Sequence, residues 1–366
     1  MRQAKRARRK ANACEKFTRM SAKSIVMRSD VRRRTRKNKR KQRGGDPIPG
    51  ATYLSRDEFN SRFKTDVVTL PIYLFAVGIQ GGQLYVYDEE KDQHVKGYKH
   101  SIFPFITDIL KGLNKDNIYV VINTSDGYGE RMPVLKEPVK YYMAGKDQFK
   151  GKAEISEPDP HKYPLLHSKK YVLCFSKRKF DPYSIAIPNP YHLNGTIDKR
   201  LKELEGNQIP WEQKKPLAVW RGAVANGGET GVRKTFVNLV KTGKLTLVDY
   251  KDSQMSVAEM AKYKYQIDLD GWANAWDGLV WKLASGSVVL KHESVWEQMY
   301  YKWLKPGVHY VPVRADLSDL AEKIQWCVDH DAECKKIGEA GQDFVRANLG
   351  MEKLRKETLA AVAAAI

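Results

Sequence analysis

The sequence has little cysteine. Four residues, Cys14, Cys174, Cys327 and Cys334, are spread over 366 positions, with no CxxC pair. That pattern argues against a disulfide framework and against a structural zinc site. Cys174 lies in an apolar run, where a buried free thiol is expected. Long uncharged apolar runs are also missing, so no segment reaches the ~18 residues that a membrane-spanning helix needs. The opening MRQAKRARRKANACEK has charges but no apolar stretch behind them, unlike a secretory signal, and the final AAVAAAI carries no retention or lipidation signal. The expectation from these absences is a cytoplasmic chain. What is present is ordinary globular material, 42% apolar and 10% aromatic, in a length sufficient for two cores.

The net charge of +21 is unevenly placed. Residues 1–43 hold 19 Lys or Arg against Glu15 and Asp30, whereas the rest of the chain holds 45 basic and 41 acidic residues. The charge therefore belongs to a tail and not to the body. VRRRTRKNKRKQRGG has no hydrophobic period, so residues 1–45 are expected to be a disordered basic tail. Such a tail suits an anionic partner, and nothing in it suggests chemistry.

Beyond Gly44-Gly45 regular patterns begin. β-rich runs at Val67–Val77 and Gln83–Tyr87 flank Gly81-Gly82 and predict a hairpin or two short strands. Ile102–Leu113 has helical spacing, Asn117–Asn123 and Tyr171–Phe175 read as buried strands, and IAIPNPYHL at 185–193 reads as extended around its prolines. Thr196–Leu204 is a charged helix. After it strand and helix alternate. Strands are predicted at Leu217–Trp220, Leu245–Val248, Tyr265–Leu269, Ser287–Lys291 and Tyr310–Val313. Helices are predicted at Thr230–Val240, Val257–Tyr263, Leu279–Ala284 and Val295–Leu304, with a last one opened by Asp316 or Ser318. Ser256 and Glu259 form a capping-box pair. This rhythm predicts an α/β fold with a parallel sheet covered on both faces. The expected division is an α/β domain at 46–208, a second at 209–335, and helices at 336–366 that pack back on the first.

In an open parallel sheet ligands sit beyond the carboxyl ends of the strands, near helix N-termini. Three places meet that condition. The loop Asp270–Gly278 is bracketed by Gly271 and Gly278 and opens into a helix, a setting suited to a diphosphate. Asn274, Trp272 and Trp276 add hydrogen bonding and stacking there, although two tryptophans in such a loop also suit a core. Arg221, in Trp220-Arg221-Gly222, ends an apolar strand and fits phosphate oxygens, with Arg233 a weaker second cation; a surface salt bridge is the plain alternative. Asp126, just past the strand in VINTSD, is placed to act as a general base, and Asp is equally a common turn residue.

Together these segments resemble glycosyltransferase family 90, the family of the capsule-associated proteins and the Rumi-type protein O-glucosyltransferases. The resemblance rests on WRG at 220–222, KYKYQIDLDG at 262–271, WKLASGSVVLK at 281–291 and YYKWLKPGVHYVPVRADLSDLAEKIQW at 300–326. It continues more weakly through VINTSD at 121–126 and FSKRKFDPYSIAIPNP at 175–190. It implies a GT-B-like fold of two Rossmann-like parallel-sheet domains, with a nucleotide sugar bound by the C-terminal one. It also implies inversion, no metal, no cofactor beyond UDP-glucose or UDP-xylose as donor substrate, and a glycan or glycoprotein acceptor. By the same resemblance Asp126 stands at the catalytic base. Arg221 stands at the arginine that meets the diphosphate, and Gly271, Asn274, Ala275, Trp276, Asp277 and Gly278 stand in the donor-binding loop. The animal enzymes end that loop in Ser-x-Arg, whereas this chain has Ala275-Trp276-Asp277 and is similar to bacterial and viral-type members.

Two rival readings are open to test. Asp268-Leu269-Asp270 is formally a DxD metal-binding triplet, with both carboxylates on one strand face. The basic tail also fits a nucleic-acid-binding protein carrying an inactive transferase body.

Overall fold

The computed structural model describes residues 50–65, 74–88, 93–124, 172–179, 184–224, 231–271 and 273–366. The chain first runs through β1 (Ala51–Leu54), α1 (Arg56–Phe63), β2 (Leu74–Gln80), β3 (Gln83–Asp88), α2 (Gln93–Gly112), β4 (Ile118–Asn123), β5 (Val172–Cys174), β6 (Lys177–Arg178), β7 (Ser184–Ala186), α3 (Pro190–Leu193) and α4 (Thr196–Glu205). Then follow β8 (Lys215–Trp220), α5 (Val232–Lys241), β9 (Val248–Tyr250), α6 (Val257–Met260), β10 (Tyr263–Asp268), α7 (Gly278–Ala284), β11 (Val288–His292), β12 (Trp296–Glu297), β13 (Val311–Val313), α8 (Leu320–Asp329), α9 (Asp331–Asn348) and α10 (Met351–Ala365).

The fold is α/β, built on two main sheets. The C-terminal sheet has the order β13-β11-β10-β8-β9 and is parallel at every pairing. Both of its faces are covered, which explains the continuous apolar runs of its strands. Ala218 and Trp220 face a core shared with Phe236 of α5 and with Leu320 and Ile324 of α8. Val219 and Val289 face the opposite core, with Leu279 and Leu283 of α7 and Phe344 of α9. The N-terminal sheet, ordered β1-β3-β2-β4-β5-β7, departs from the parallel expectation at β2, which runs antiparallel to both β3 and β4. The cause is local. Gly81 and Gly82 have φ of 57° and 73°, the two positive values that a tight two-residue hairpin requires, so β3 folds straight back on β2.

Two segments differ from the sequence pattern. Val295–Leu304 is not one helix: β12 pairs antiparallel with β6, and a 3₁₀ turn follows at Met299–Trp303. The pairing wins because it buries Trp296 beneath the Arg178 guanidinium, 4.7 Å from the ring centre, and sets Lys177 3.0 Å from Glu297. IAIPNPYHL is extended only to Asn189. Pro190 then opens α3, where its missing N–H costs nothing, and the Asn189 side chain accepts from the amides of Tyr191 and His192. The Ser256–Glu259 capping box forms, but α6 ends at Met260 because the chain turns into β10 at Tyr263.

The last helix crosses back to the N-terminal sheet. Val362 is buried in that sheet's core, Leu359 packs on it, and Arg355 pairs with Asp108 of α2. No described helix is long and apolar enough to cross a membrane. Cys174, Cys327 and Cys334 are buried free thiols.

Candidate functional site

β8, β10 and β11 are neighbours, so the residues just beyond them meet at one edge of the parallel sheet. Asp268 closes β10 and pairs with Lys282 of α7 at 2.7 Å, with both side chains nine-tenths enclosed. Asp270 lies two residues on. Its carboxylate is 3.3 Å from His292 Nε2, which is also 3.1 Å from the Asp270 amide nitrogen, and it accepts from the Ser294 hydroxyl. Burial pushes this carboxyl up, but His292, Lys291 and Ser294 outweigh it and hold Asp270 at about 2. Lys291 is fully enclosed; burial pulls its amine down, while Asp270 and Asp268 partly restore it. Both carboxylates of the DxD triplet are therefore engaged by side chains of the protein. The described residues contain no cluster of three or more metal-ligating side chains.

Arg221 follows β8 directly. Its Nη1 donates to the carbonyls of Trp220 at 2.9 Å and Asp249 at 2.6 Å, and its Nη2 pairs with Asp249 Oδ1 at 2.6 Å. Nε is buried without a hydrogen-bond partner. The guanidinium is thus held against β9, with its side chain only 4% exposed. Gly222 is required beside it, because a Cβ there would lie 2.7 Å from the Trp220 ring. Arg233 of α5 bridges the two strand ends. It donates from Nε to the Asp270 carbonyl at 2.8 Å and from Nη1 to the Ala223 carbonyl at 3.0 Å.

The loop after β10 is braced from beneath. Asn274 Oδ1 accepts from Ser176 Oγ at 2.7 Å, and Nδ2 donates to the Trp296 carbonyl at 2.7 Å. Gln298 Nε2 donates to the carbonyls of Asn274 and, at 3.0 Å, Trp276. The methyl groups of Ala273 and Ala275 enter cores that belong to the N-terminal sheet, so this loop joins the two sheets. Asp277 is buried and pairs with Arg200 of α4 at 2.8 Å; burial raises its carboxyl, and Arg200 opposes the rise. A Cβ at Gly278 would stand 3.8 Å from Asp268 Oδ1 and 3.6 Å from Lys282 Nζ. The start of α7 therefore already has two carboxylates near it, Asp268 and Asp277, which answer its dipole before any ligand arrives.

Among the residues expected from sequence, Arg221, Gly271, Asn274, Ala275, Trp276, Asp277 and Gly278 lie on or beside this edge. The side chains of Asn274, Ala275 and Asp277 point into packing or ion pairs, and Trp276 stays 43% exposed. Asp126 and Trp272 lie outside the described residues; β4, which leads toward Asp126, ends at the buried Asn123. Sequence reasoning passed over Asp249, Lys282, His292, Gln298 and Arg200. Lys282 interrupts the apolar run LVWKLA, which is a readable signal, whereas the others gain a role only from their partners across the fold.

Comparison with known proteins agrees with this region of the chain. The family model described as glycosyl transferase family 90 matches residues 193–357 of this chain. Protein O-glucosyltransferase 2 of Danio rerio is 38% identical over 175 residues, which are 42% of this chain and 33% of that protein. The uncharacterized protein 179R of Invertebrate iridescent virus 6 is 39% identical over 111 residues, 28% of this chain and 9% of that one. The chain thus spans a third or less of the length of these relatives. Among solved structures, a sucrose-phosphate synthase from Thermosynechococcus elongatus aligns over 79% of this chain and 84% of its own at 12% identity, with a TM-score of 0.37. That likeness is too slight to add to the fold read from the sheets themselves.

Proposed function

We propose that this chain is an inverting, metal-independent glycosyltransferase that moves glucose or xylose from a UDP-sugar to a hydroxyl of a glycan or protein acceptor. The observation that carries the reading is the edge formed by β8, β10 and β11, where Arg221, Arg233, Lys282 and Lys291 gather inside the segment that matches the family. Cations around a strand-end loop are what a diphosphate leaving group requires. Residues 209–335 are the donor side in this reading, and residues 46–208 are the acceptor side. The relatives named as protein O-glucosyltransferases favour glucose among the sugars.

Asp126 takes the proton of the acceptor hydroxyl as the oxygen attacks the anomeric carbon from the face opposite the diphosphate. The carbon–oxygen bond to UDP breaks, and the charge that develops on the diphosphate is met by Arg221 and Arg233. Arg221 meets it by releasing Asp249, because its side chain is 4% exposed and its Nε is buried. The amides at the start of α7 carry less of this load than their position in sequence suggests, because Asp268 and Asp277 stand beside them.

The test is a variant that separates binding from chemistry. Asp126→Asn should abolish transfer from UDP-glucose and leave UDP affinity within about threefold, as expected for a base that does not touch the nucleotide. Loss of both together would make Asp126 structural. Transfer that needs added Mn²⁺ and is abolished by EDTA would replace this mechanism with the DxD one.

A further inference from the structure

Trp276 is a large side chain left 43% exposed on a loop whose other described residues are buried. Its indole lies against the phenol ring of Tyr191, with centroids 5.6 Å apart and planes at 27°. The two rings come from different parts of the chain, and one buried amide relay fixes both. Asn189 accepts from the Tyr191 amide at 3.0 Å and donates to Gln298 Oε1 at 2.8 Å. Gln298 donates in turn to the carbonyl of Trp276 at 3.0 Å. Asn189 and Gln298 are 1% and 3% exposed, so water does not compete for these bonds. An exposed indole held this firmly from behind is a preorganised surface and not a loose loop tip.

We propose that the Trp276–Tyr191 pair is a stacking platform for a pyranose ring of a glycan acceptor. This rests on the transferase reading above and names the acceptor class for it. The negative face of an aromatic ring suits the weakly positive C–H face of a sugar. The neighbouring Arg200–Asp277 pair, whose arginine side chain is 34% exposed, supplies a polar rim for the hydroxyls. Position selects acceptor over donor. Tyr191 sits on α3, which follows the N-terminal sheet, and Ala275 beside Trp276 is packed in that sheet's core, so the platform stands on the seam between the two sheets. The cations suited to the diphosphate belong to the other end of the loop, by β8 and β10.

The experiment is calorimetric titration of the full chain with cellohexaose, xylohexaose and chitohexaose, each with and without saturating UDP, and with UDP alone. The expected result is saturable binding of at least one oligosaccharide, undiminished by UDP. Trp276→Ala should weaken it by about tenfold or more, and Trp276→Phe, which keeps a ring face, by about threefold or less. No binding of any of the three, binding untouched in Trp276→Ala, or displacement of the sugar by UDP would each overturn the proposal. UDP binding without oligosaccharide binding sinks only the platform, whereas absence of UDP binding sinks the donor reading on which it rests.

Discussion

The Lys282–Asp268 pair tests the geometry of the strand-end cluster most sharply. Its ions are 2.7 Å apart, and each side chain is about 90% removed from water. Lys282→Met keeps the aliphatic stem that packs in α7 but leaves the buried Asp268 carboxylate without its direct partner. Breaking a buried pair from one side costs about 3–5 kcal/mol. Asp268→Asn leaves the lysine ammonium stranded in the same way. The double variant removes both charges, so its cost should fall short of the sum of the two single losses by about 2–3 kcal/mol. Urea unfolding followed by fluorescence measures all four corners of the cycle, and the midpoints should move while the slope stays constant. Single variants that each cost under about 1 kcal/mol, or a double variant that simply sums the two losses, would refute a desolvated pair at this edge.

Further expectations follow from other buried groups. Burial lowers His192 to about 4, so the unfolded chain takes up this proton before the folded one does. Stability should therefore fall by up to about 3 kcal/mol as pH drops from 6.5 to 4, and His192→Gln should flatten that slope in pH-dependent melts. Asp270 has the depressed folded value of a stabilised carboxylate, about 2, so its contribution is complete above its unfolded value near 4 and is lost as pH falls toward 2. Asp270→Asn should remove about 2 kcal/mol of stability at neutral pH and less in acid, as read from urea midpoints at several pH values. Gln298→Leu should cost about 3 kcal/mol, because it strands the Asn189 amide and two loop carbonyls, and thermal melts would show it. Deleting residues 1–43 should leave transfer from UDP-glucose intact, and loss of activity on deletion would move function into the basic segment.

Much of the C-terminal half was legible in the sequence because its strands are buried on both faces. Their apolar runs stand out against the charged helices, and the WRG and DLDG segments fall at strand ends by register alone. The N-terminal sheet was harder to read, since the sequence shows the Gly81-Gly82 turn but not which strand β2 pairs with on its other side. Val295–Leu304 was misread for a related reason. Its spacing is helical, but the energy that decides its shape lies in Trp296 packing beneath Arg178, more than a hundred residues away in sequence. At the site, types and positions were readable and partners were not. Arg221 reads as a phosphate contact or a salt bridge, and only the fold brings in Asp249, from a strand 28 residues on, which holds most of its guanidinium. Gly278 looked like an open helix start until Asp268 and Asp277 were found beside it.

The central claim is that the edge formed by β8, β10 and β11 holds the diphosphate of a UDP-sugar. Calorimetric titration of UDP, UMP and uridine into the full chain in EDTA tests it most directly. The account predicts saturable UDP binding without metal, weakening by about tenfold or more from UDP to uridine as phosphates are removed, and a similar loss in Arg233→Met. Absence of UDP binding, or equal affinity for UDP and uridine, would contradict it.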